Sequence, residues 1–219
     1  MLNMNFSEAL VIDTARGQWQ ASPIAGVWRI PMEREAAEHG RTTSVVKFDS
    51  GSGFSAHSHP RGEEILVLEG VFSDEYGDYP AGSYLRHPPG SRHKPFSRDG
   101  CVIFVKLDQF VPRDTEALRI DTRRSEWLPG EGRTEVMPLH DFESESVVLI
   151  KWPANSRADP HRHFGGEEFF VLSGTLFDEW GSYAAGTWVR NPHDSEHSPY
   201  TLEETVIWMK SGHLPTTGH

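Results

Sequence analysis

Apolar residues in this chain gather in short runs: 65–68, 102–105, 169–172 and 205–209, each rich in branched or aromatic side chains. Glycine and proline punctuate them, as in Glu69-Gly70, Pro80-Ala81-Gly82 and Pro88-Pro89-Gly90. Such runs bounded by turn residues predict β-strands. No long stretch carries a 3.6-residue apolar period, and only residues 33–38 suit a short helix. Many short strands at this spacing predict an all-β sandwich or barrel.

The pattern occurs twice. Glu8-Ala9-Leu10, Ile12-Asp13-Thr14, Arg16 and Trp19 return 108 residues later as Glu116-Ala117-Leu118, Ile120-Asp121-Thr122, Arg124 and Trp127. Further on the shift is 104, and 19 of 39 positions match between 57–95 and 161–199. Composition alone would match about two or three. The chain is therefore one unit used twice, about 7–106 and 115–210, predicting two barrels divided as 1–112 and 113–219. The change of shift means four residues fewer in the second copy, expected from the polar loop around 33–41. Aromatic positions persist with changed identity: Phe48 and Trp152, Tyr76 and Trp180, Tyr84 and Trp188, Phe104 and Trp208. These are expected to fill the barrel interiors.

Composition narrows the function. The 219 residues carry a net charge of −11, which disfavours direct nucleic-acid binding. No apolar run is long enough to span a membrane and no secretory signal opens the chain, so a cytoplasmic protein is expected. One cysteine, Cys101, excludes an internal disulfide or a Cys-rich zinc site. Against that background, twelve histidines are many.

Six of the twelve keep a fixed spacing. His57, His59, Glu63 and His93 recur as His161, His163, Glu167 and His197, with 34 residues from the second histidine to the last in both copies. Residues two apart on a strand share a face, so each His-x-His pair can aim at one point. The following loop brings in the glutamate, and a distant strand brings the third histidine. Three imidazoles and a carboxylate suit a divalent ion among Mn, Fe, Co, Ni, Cu and Zn, one per unit. Ligation needs neutral imidazole, so metal is expected to leave on acidification. A lone histidine is ordinarily a surface or hydrogen-bonded residue. Two sets in register while half the neighbouring positions changed are better explained as ligands. Glu64 and Glu168, adjacent on an extended chain, are expected to face away toward a surface partner. His39, His87, His140, His193, His213 and His219 have no histidine counterpart and are read as structural or surface.

These residues resemble the two signature motifs of the cupin superfamily. The first is matched by His57, His59, Glu63 and Gly70 and by His161, His163, Glu167 and Gly174. The second is matched by Gly82, Pro88, Gly90 and His93 and by Gly186, Pro192 and His197. Asp194 replaces one glycine, and Ser97 and Thr201 replace the usual final Asn. The resemblance implies two jelly-roll (RmlC-like) β-barrels, a bicupin. Residues 62–77, 79–84 and 91–93 further resemble the cupin-like domain of ChrR-type anti-sigma factors. That resemblance implies zinc, a sensor of a small molecule or oxidant, and an extracytoplasmic-function sigma factor as partner. The sigma-gripping His-Cys-x-x-Cys helical domain of those proteins has no counterpart here, and the first cupin is expected to begin by about residue 7. Quercetin dioxygenases and oxalate decarboxylases are similar at the level of the three-His, one-Glu set. They imply an alternative, a metal-dependent dioxygenase-type enzyme on a small organic substrate, with Glu63 and Glu167 as the candidate catalytic groups.

The remaining features read as structure. Gly51-Ser52-Gly53 lacks the later Gly and Lys of a phosphate loop. Cys101 is expected to be a buried structural thiol. Arg86 and Arg190 are expected on the barrel wall beside glutamate, and Arg119, Arg123 and Arg124 on a solvated or salt-bridged face. Residues 214–219 are expected to be loose, and edge strands suit a homodimer.

Overall fold

A computed structural model describes residues 1–216, which form two compact β units. Among the described residues the one helical segment is a 3-10 turn at Thr14–Arg16. Residues 33–38 form no helix. Val27–Arg34 is a strand that pairs with Thr42–Phe48, and that long-range pairing overrides local helix propensity.

The main sheet of the first unit is antiparallel. In order it runs Leu118–Asp121, Ser83–His87, Glu63–Asp74, Cys101–Leu107, Thr42–Phe48, Val27–Arg34 and Gln20–Ala21, with Gly77–Pro80 beside the far end of Glu63–Asp74. A second short layer pairs His57–His59 with Ser91–His93. Its core includes Val27, Phe48, Ile65, Phe72, Leu85 and Ile103, all nearly fully buried. The second unit repeats the plan. Its main sheet runs Leu10–Asp13, Thr187–Asn191, Glu167–Ser173, Thr205–Ser211, Glu145–Trp152, Glu135–Phe142 and Leu128–Pro129. Trp152, Phe169, Val171, Leu176 and Ile207 pack inside it.

The units differ from a linear division at 112/113. Leu10–Asp13, from the first repeat, pairs with Thr187–Asn191 in the second unit. Leu118–Asp121, from the second repeat, pairs with Ser83–His87 in the first. The first unit accordingly comprises Met1–Met4 and Gln18–Ser125, and the second takes Asn5–Gly17 and the chain from Glu126 onward.

Strand register locates the four missing residues. Gln20 faces Arg29, while Leu128 faces Val136. Pro31 faces Ser44, and Pro138 faces Val148. One residue is therefore lost in the turn before Val27 and three in the hairpin after Arg34, rather than all four in the hairpin.

The aromatic pairs divide. Phe48, Trp152, Tyr84, Trp188, Phe104 and Trp208 are buried, as expected. Tyr76 and Trp180 are 62% and 78% exposed. Each sits in a turn whose backbone N–H groups donate to the preceding aspartate, Asp74 or Asp178, which turns the ring outward. The chain end is also less loose than expected. Leu214 is buried and its N–H donates to the Gly165 carbonyl at 2.7 Å, while residues 217–219 lie outside the described part.

The motif glycines have a packing cause. Gly70 and Gly174 lie at φ +68° and +73°, and a Cβ there would stand 2.2 Å from the Gly100 carbonyl oxygen and 2.4 Å from that of Glu204. Both lie two residues beyond the bulge, at Leu68 and Leu172, where the central strand changes register. The second-motif turn survives the loss of glycine, because Asp194 takes φ +60° and its N–H still reaches the His163 carbonyl, as Gly90 reaches that of His59.

Candidate metal centres

Each centre is built on a two-stranded ribbon. His57 lies across from His93, and His161 across from His197. Alternation brings the second histidine of each pair to the same face, so three rings converge. Their centroids are 4.8, 5.3 and 4.9 Å apart in the first unit and 4.9, 5.0 and 4.8 Å apart in the second. The ring Nδ1 of His57 stands 2.9 Å from the Ser55 carbonyl and that of His161 2.8 Å from the Asp159 carbonyl. A carbonyl only accepts, so Nδ1 carries the proton and Nε2 keeps its lone pair for the centre.

Glu63 opens the central strand and points into the same space. Its Oε2 lies 3.5 Å from His59 Nε2 and 3.3 Å from His93 Nε2, and those two nitrogens are 3.0 Å apart. Ligands on an ion with bonds of about 2.1 Å stand roughly 3.0 to 3.4 Å apart in octahedral or tetrahedral geometry. In the second unit Glu167 Oε2 is 3.4 Å from His163 Nδ1, and Oε1 is 3.8 Å from His197 Nε2. The Nε2 atoms of His163 and His197 are buried without a hydrogen-bond partner. The Nε2 of His197, buried beside the Glu167 carboxylate with no hydrogen-bond partner, fits a ligand to a cation.

The electrostatics divide the rings: burial lowers His59 and His163, whereas for His93 and His197 burial is outweighed by the carboxylates beside them, Asp74 and Glu63 or Asp178 and Glu167, which raise them. Burial pushes His59 down to about 4, so it is neutral at pH 7 and ready to ligate. Burial alone would raise Glu63, but the neighbouring histidines and the hydrogen bond with His87 outweigh it and hold the carboxyl at about 2.

Sequence reasoning missed three groups. Asp74 and Asp178 stand behind the last histidines, with Oδ2 at 3.5 Å from His93 Nδ1 and 3.2 Å from His197 Nδ1. Tyr79 and Tyr183 donate their hydroxyls to these carboxylates at 3.0 and 2.8 Å. A carboxylate behind an imidazole orients the ring and raises its basicity, an arrangement found behind metal-ligating histidines. The signal was present, since Asp74-Glu75 and Tyr79 keep the 104-residue shift. The third is His87, read as structural or surface. Its Nδ1 is 2.8 Å from Glu63 Oε2, and with Glu63 and His93 it forms a second group of converging donors. It escaped notice because its counterpart is Asn191, whose amide donates to Glu167 at 3.3 Å.

Glu64 and Glu168 do face away from the centres but reach no surface. Both are buried. Glu64 accepts from the Tyr84 hydroxyl at 2.7 Å and pairs with Arg86 at 3.7 Å, and Glu168 stands 3.1 Å from His213. Arg86 also pairs with Asp114, so it belongs to the wall and not to the centre. Cys101 is buried, and burial pushes its thiol up to about 11.

The first centre opens onto a cavity of about 440 Å³, which His57, His59 and Glu63 line together with apolar side chains of the main sheet. Small-molecule sites have this size and apolar character.

Two barrels of this topology, each carrying three histidines and a glutamate at one end, define a bicupin. The chain belongs to the ChrR cupin-like domain family, which matches residues 7–111 and again 115–215. It has no match among curated proteins. Among solved structures it is similar to a candidate dioxygenase from Nostoc punctiforme (TM-score 0.81, 14% identity, covering 96% of this chain and 85% of that one). It is also similar to the Lactobacillus farciminis oxalate decarboxylase formate complex (0.67, 12%, 95% and 87%) and to the Escherichia coli pirin YhhW in complex with nickel(II) (0.72, 11%, 96% and 100%). At these identities the likeness is one of fold. Among the described residues no helix is long and apolar enough to cross a membrane.

Proposed function

We propose that this protein binds one divalent transition metal in each cupin and receives a small organic molecule beside the ion of the first. The observation that carries this reading is the cavity that opens onto His57, His59 and Glu63. His57, His59, Glu63 and His93 would hold the first ion, and His161, His163, Glu167 and His197 the second. Such an ion supplies Lewis acidity and a template for a chelating ligand. The chain's own part is to bury His59 and His163 and so disfavour their charged forms, to stand Asp74 and Asp178 behind the last histidines, and to surround the ligand with apolar walls.

Membership of the ChrR cupin-like family supports a regulatory role, in which occupancy of this site is passed to a protein partner such as a sigma factor. Zinc is the ion that this kinship favours. A metal-dependent oxygenase is the second reading, supported by the open approach to the first centre and by the fold shared with the Nostoc punctiforme protein.

Elemental analysis of protein purified without added metal tests the common core. Two equivalents per chain are expected, falling to one in the H59A/H93A variant; none in the parent protein would overturn the proposal. Oxygen uptake over a panel of small organic substrates, set against pull-down of sigma factors, separates the two roles.

A further inference from the structure

The cavity of the first unit carries a feature with no role in holding metal. Arg29 and Arg34, on the strand Val27–Arg34, both line it. They face a single carboxylate, Glu38, which lies 3.1 Å from Arg29 Nη1 and 4.0 Å from Arg34 Nη1. The arginine side chains are only 16% and 20% exposed, while Glu38 is 52% exposed. Two guanidinium groups share one acid, and the Nε of Arg34 is buried with no hydrogen-bond acceptor. Burial and the Arg29 charge both depress Arg34, which makes a further anion welcome.

Glu38 arrives on the loop 35–41, which holds itself together. Glu35 N–H donates to the Arg41 carbonyl at 2.9 Å, and Arg41 N–H returns to the Glu35 carboxylate at 2.9 Å. The other carboxylate on this side, Asp108, already accepts from the Gly40 and Arg61 N–H groups, each at 3.2 Å. Strand register shows that this equipment belongs to the first unit alone. Arg29 corresponds to Val136 and Arg34 to Asp141, and the hairpin is three residues shorter in the second unit.

We infer that the first cavity is built for a small organic anion with an apolar body, whose carboxylate pairs with Arg29 and Arg34 in the position that Glu38 now holds. Phe48, Phe72, Ile103 and Val105 line the space between and suit the apolar body. A planar carboxylate suits two guanidinium forks better than a point contact does. Glu38, on a solvent-exposed loop, is the internal competitor that the ligand displaces. This inference rests on the proposed ligand site beside the first metal and names its substrate class.

Calorimetric titration of the full chain with phenylacetate, and with phenylacetamide as the neutral isostere, tests it. Phenylacetate is expected to bind at least tenfold more tightly than the amide. R29Q and R34Q should each weaken the acid about tenfold and leave the amide unchanged. E38Q, an exposed change that needs no refolding of the core, should tighten the acid at least threefold by removing the competitor. Equal binding of acid and amide, no binding of either, or an unchanged affinity in E38Q would overturn the inference. Elemental analysis of the same samples keeps the two claims apart. Metal without acid binding sinks only the anion site, and arginine-dependent acid binding without metal upholds it while sinking the metal reading.

Discussion

The two cupin units hold the same four candidate ligands at the same spacing, yet surround them differently. In the first, His87 adds an imidazole at 2.8 Å from Glu63; in the second, the Asn191 amide takes that position with a longer hydrogen bond, at 3.3 Å. The first carries Arg29, Arg34 and a long hairpin beside its cavity, and the second has Val136, Asp141 and a clipped hairpin at the matching registers. The aspartate and tyrosine behind the last histidine are common to both. Duplication has thus kept the candidate metal donors and changed the walls of the cavity beside them. The physical reason is that ligand geometry tolerates little drift, whereas cavity walls can change one side chain at a time.

Four changes would break or sharpen this contrast. The largest effect is expected in the cores, where Phe72 and its counterpart Leu176 are both almost fully buried. Phe72→Ala should cost about 3–5 kcal/mol and Leu176→Ala about 2–5 kcal/mol, read by chemical denaturation. Similar losses would show two barrels of equal packing; a much smaller loss at Leu176 would mark the second as the looser.

Asp74→Asn and Asp178→Asn come next. Each should lower metal affinity in its own unit by about 10–100-fold in a chelator competition, because the ring behind the ion loses its charged partner. An effect in one unit only would mean that the shared aspartate serves different ends.

Truncation of His87 and of Asn191 probes the difference itself. H87A removes a buried partner of Glu63 and should cost roughly 1–3 kcal/mol. N191A, which breaks a longer bond, should cost less. If the two costs are equal, His87 is a spacer and not a distinguishing group.

The smallest effect concerns Cys101, whose counterpart Thr205 donates its hydroxyl to the Thr175 carbonyl. The thiol is raised to about 11 by burial, above its ordinary value of 9.0. The folded state therefore holds the proton more firmly than the unfolded state. That stability is complete below pH 9 and is lost as pH rises through 11. Denaturation midpoints of the parent protein should fall across this window more steeply than those of C101T, and iodoacetamide at pH 8 should label Cys101 only after unfolding.

Much of this was legible in one dimension, for a stated reason. A duplicated chain compares itself with itself, so His57, His59, Glu63 and His93 stood out by keeping register while neighbours changed. Strand alternation then predicted that each His-x-His pair shares a face, which the ribbon pairing bears out. The wall position of Arg86 followed from the neighbouring glutamate, and the burial of Cys101 from its place at the start of a strand. Other residues were invisible to this comparison. His87 has no histidine partner, so self-comparison discarded it. Asp74 and Asp178 were matched but lay in a block where many positions matched. The burial of Glu64 was missed because a charge is assigned to the surface unless its partner is known, and Arg86 and Tyr84 become its partners only through sheet pairing.

By itself, then, the sequence determined an all-β chain of two like units and named four candidate donors in each, because period, punctuation and spacing are local properties. Tertiary structure alone decided which strand completes which barrel. Leu10–Asp13 and Leu118–Asp121 carry the same motif, and only long-range hydrogen bonding shows that each sits in the other repeat's sheet. It also decided that the arginines of one hairpin share a cavity with a histidine ribbon far along the chain. Such a meeting depends on the closure of the sheet, which no window of sequence contains.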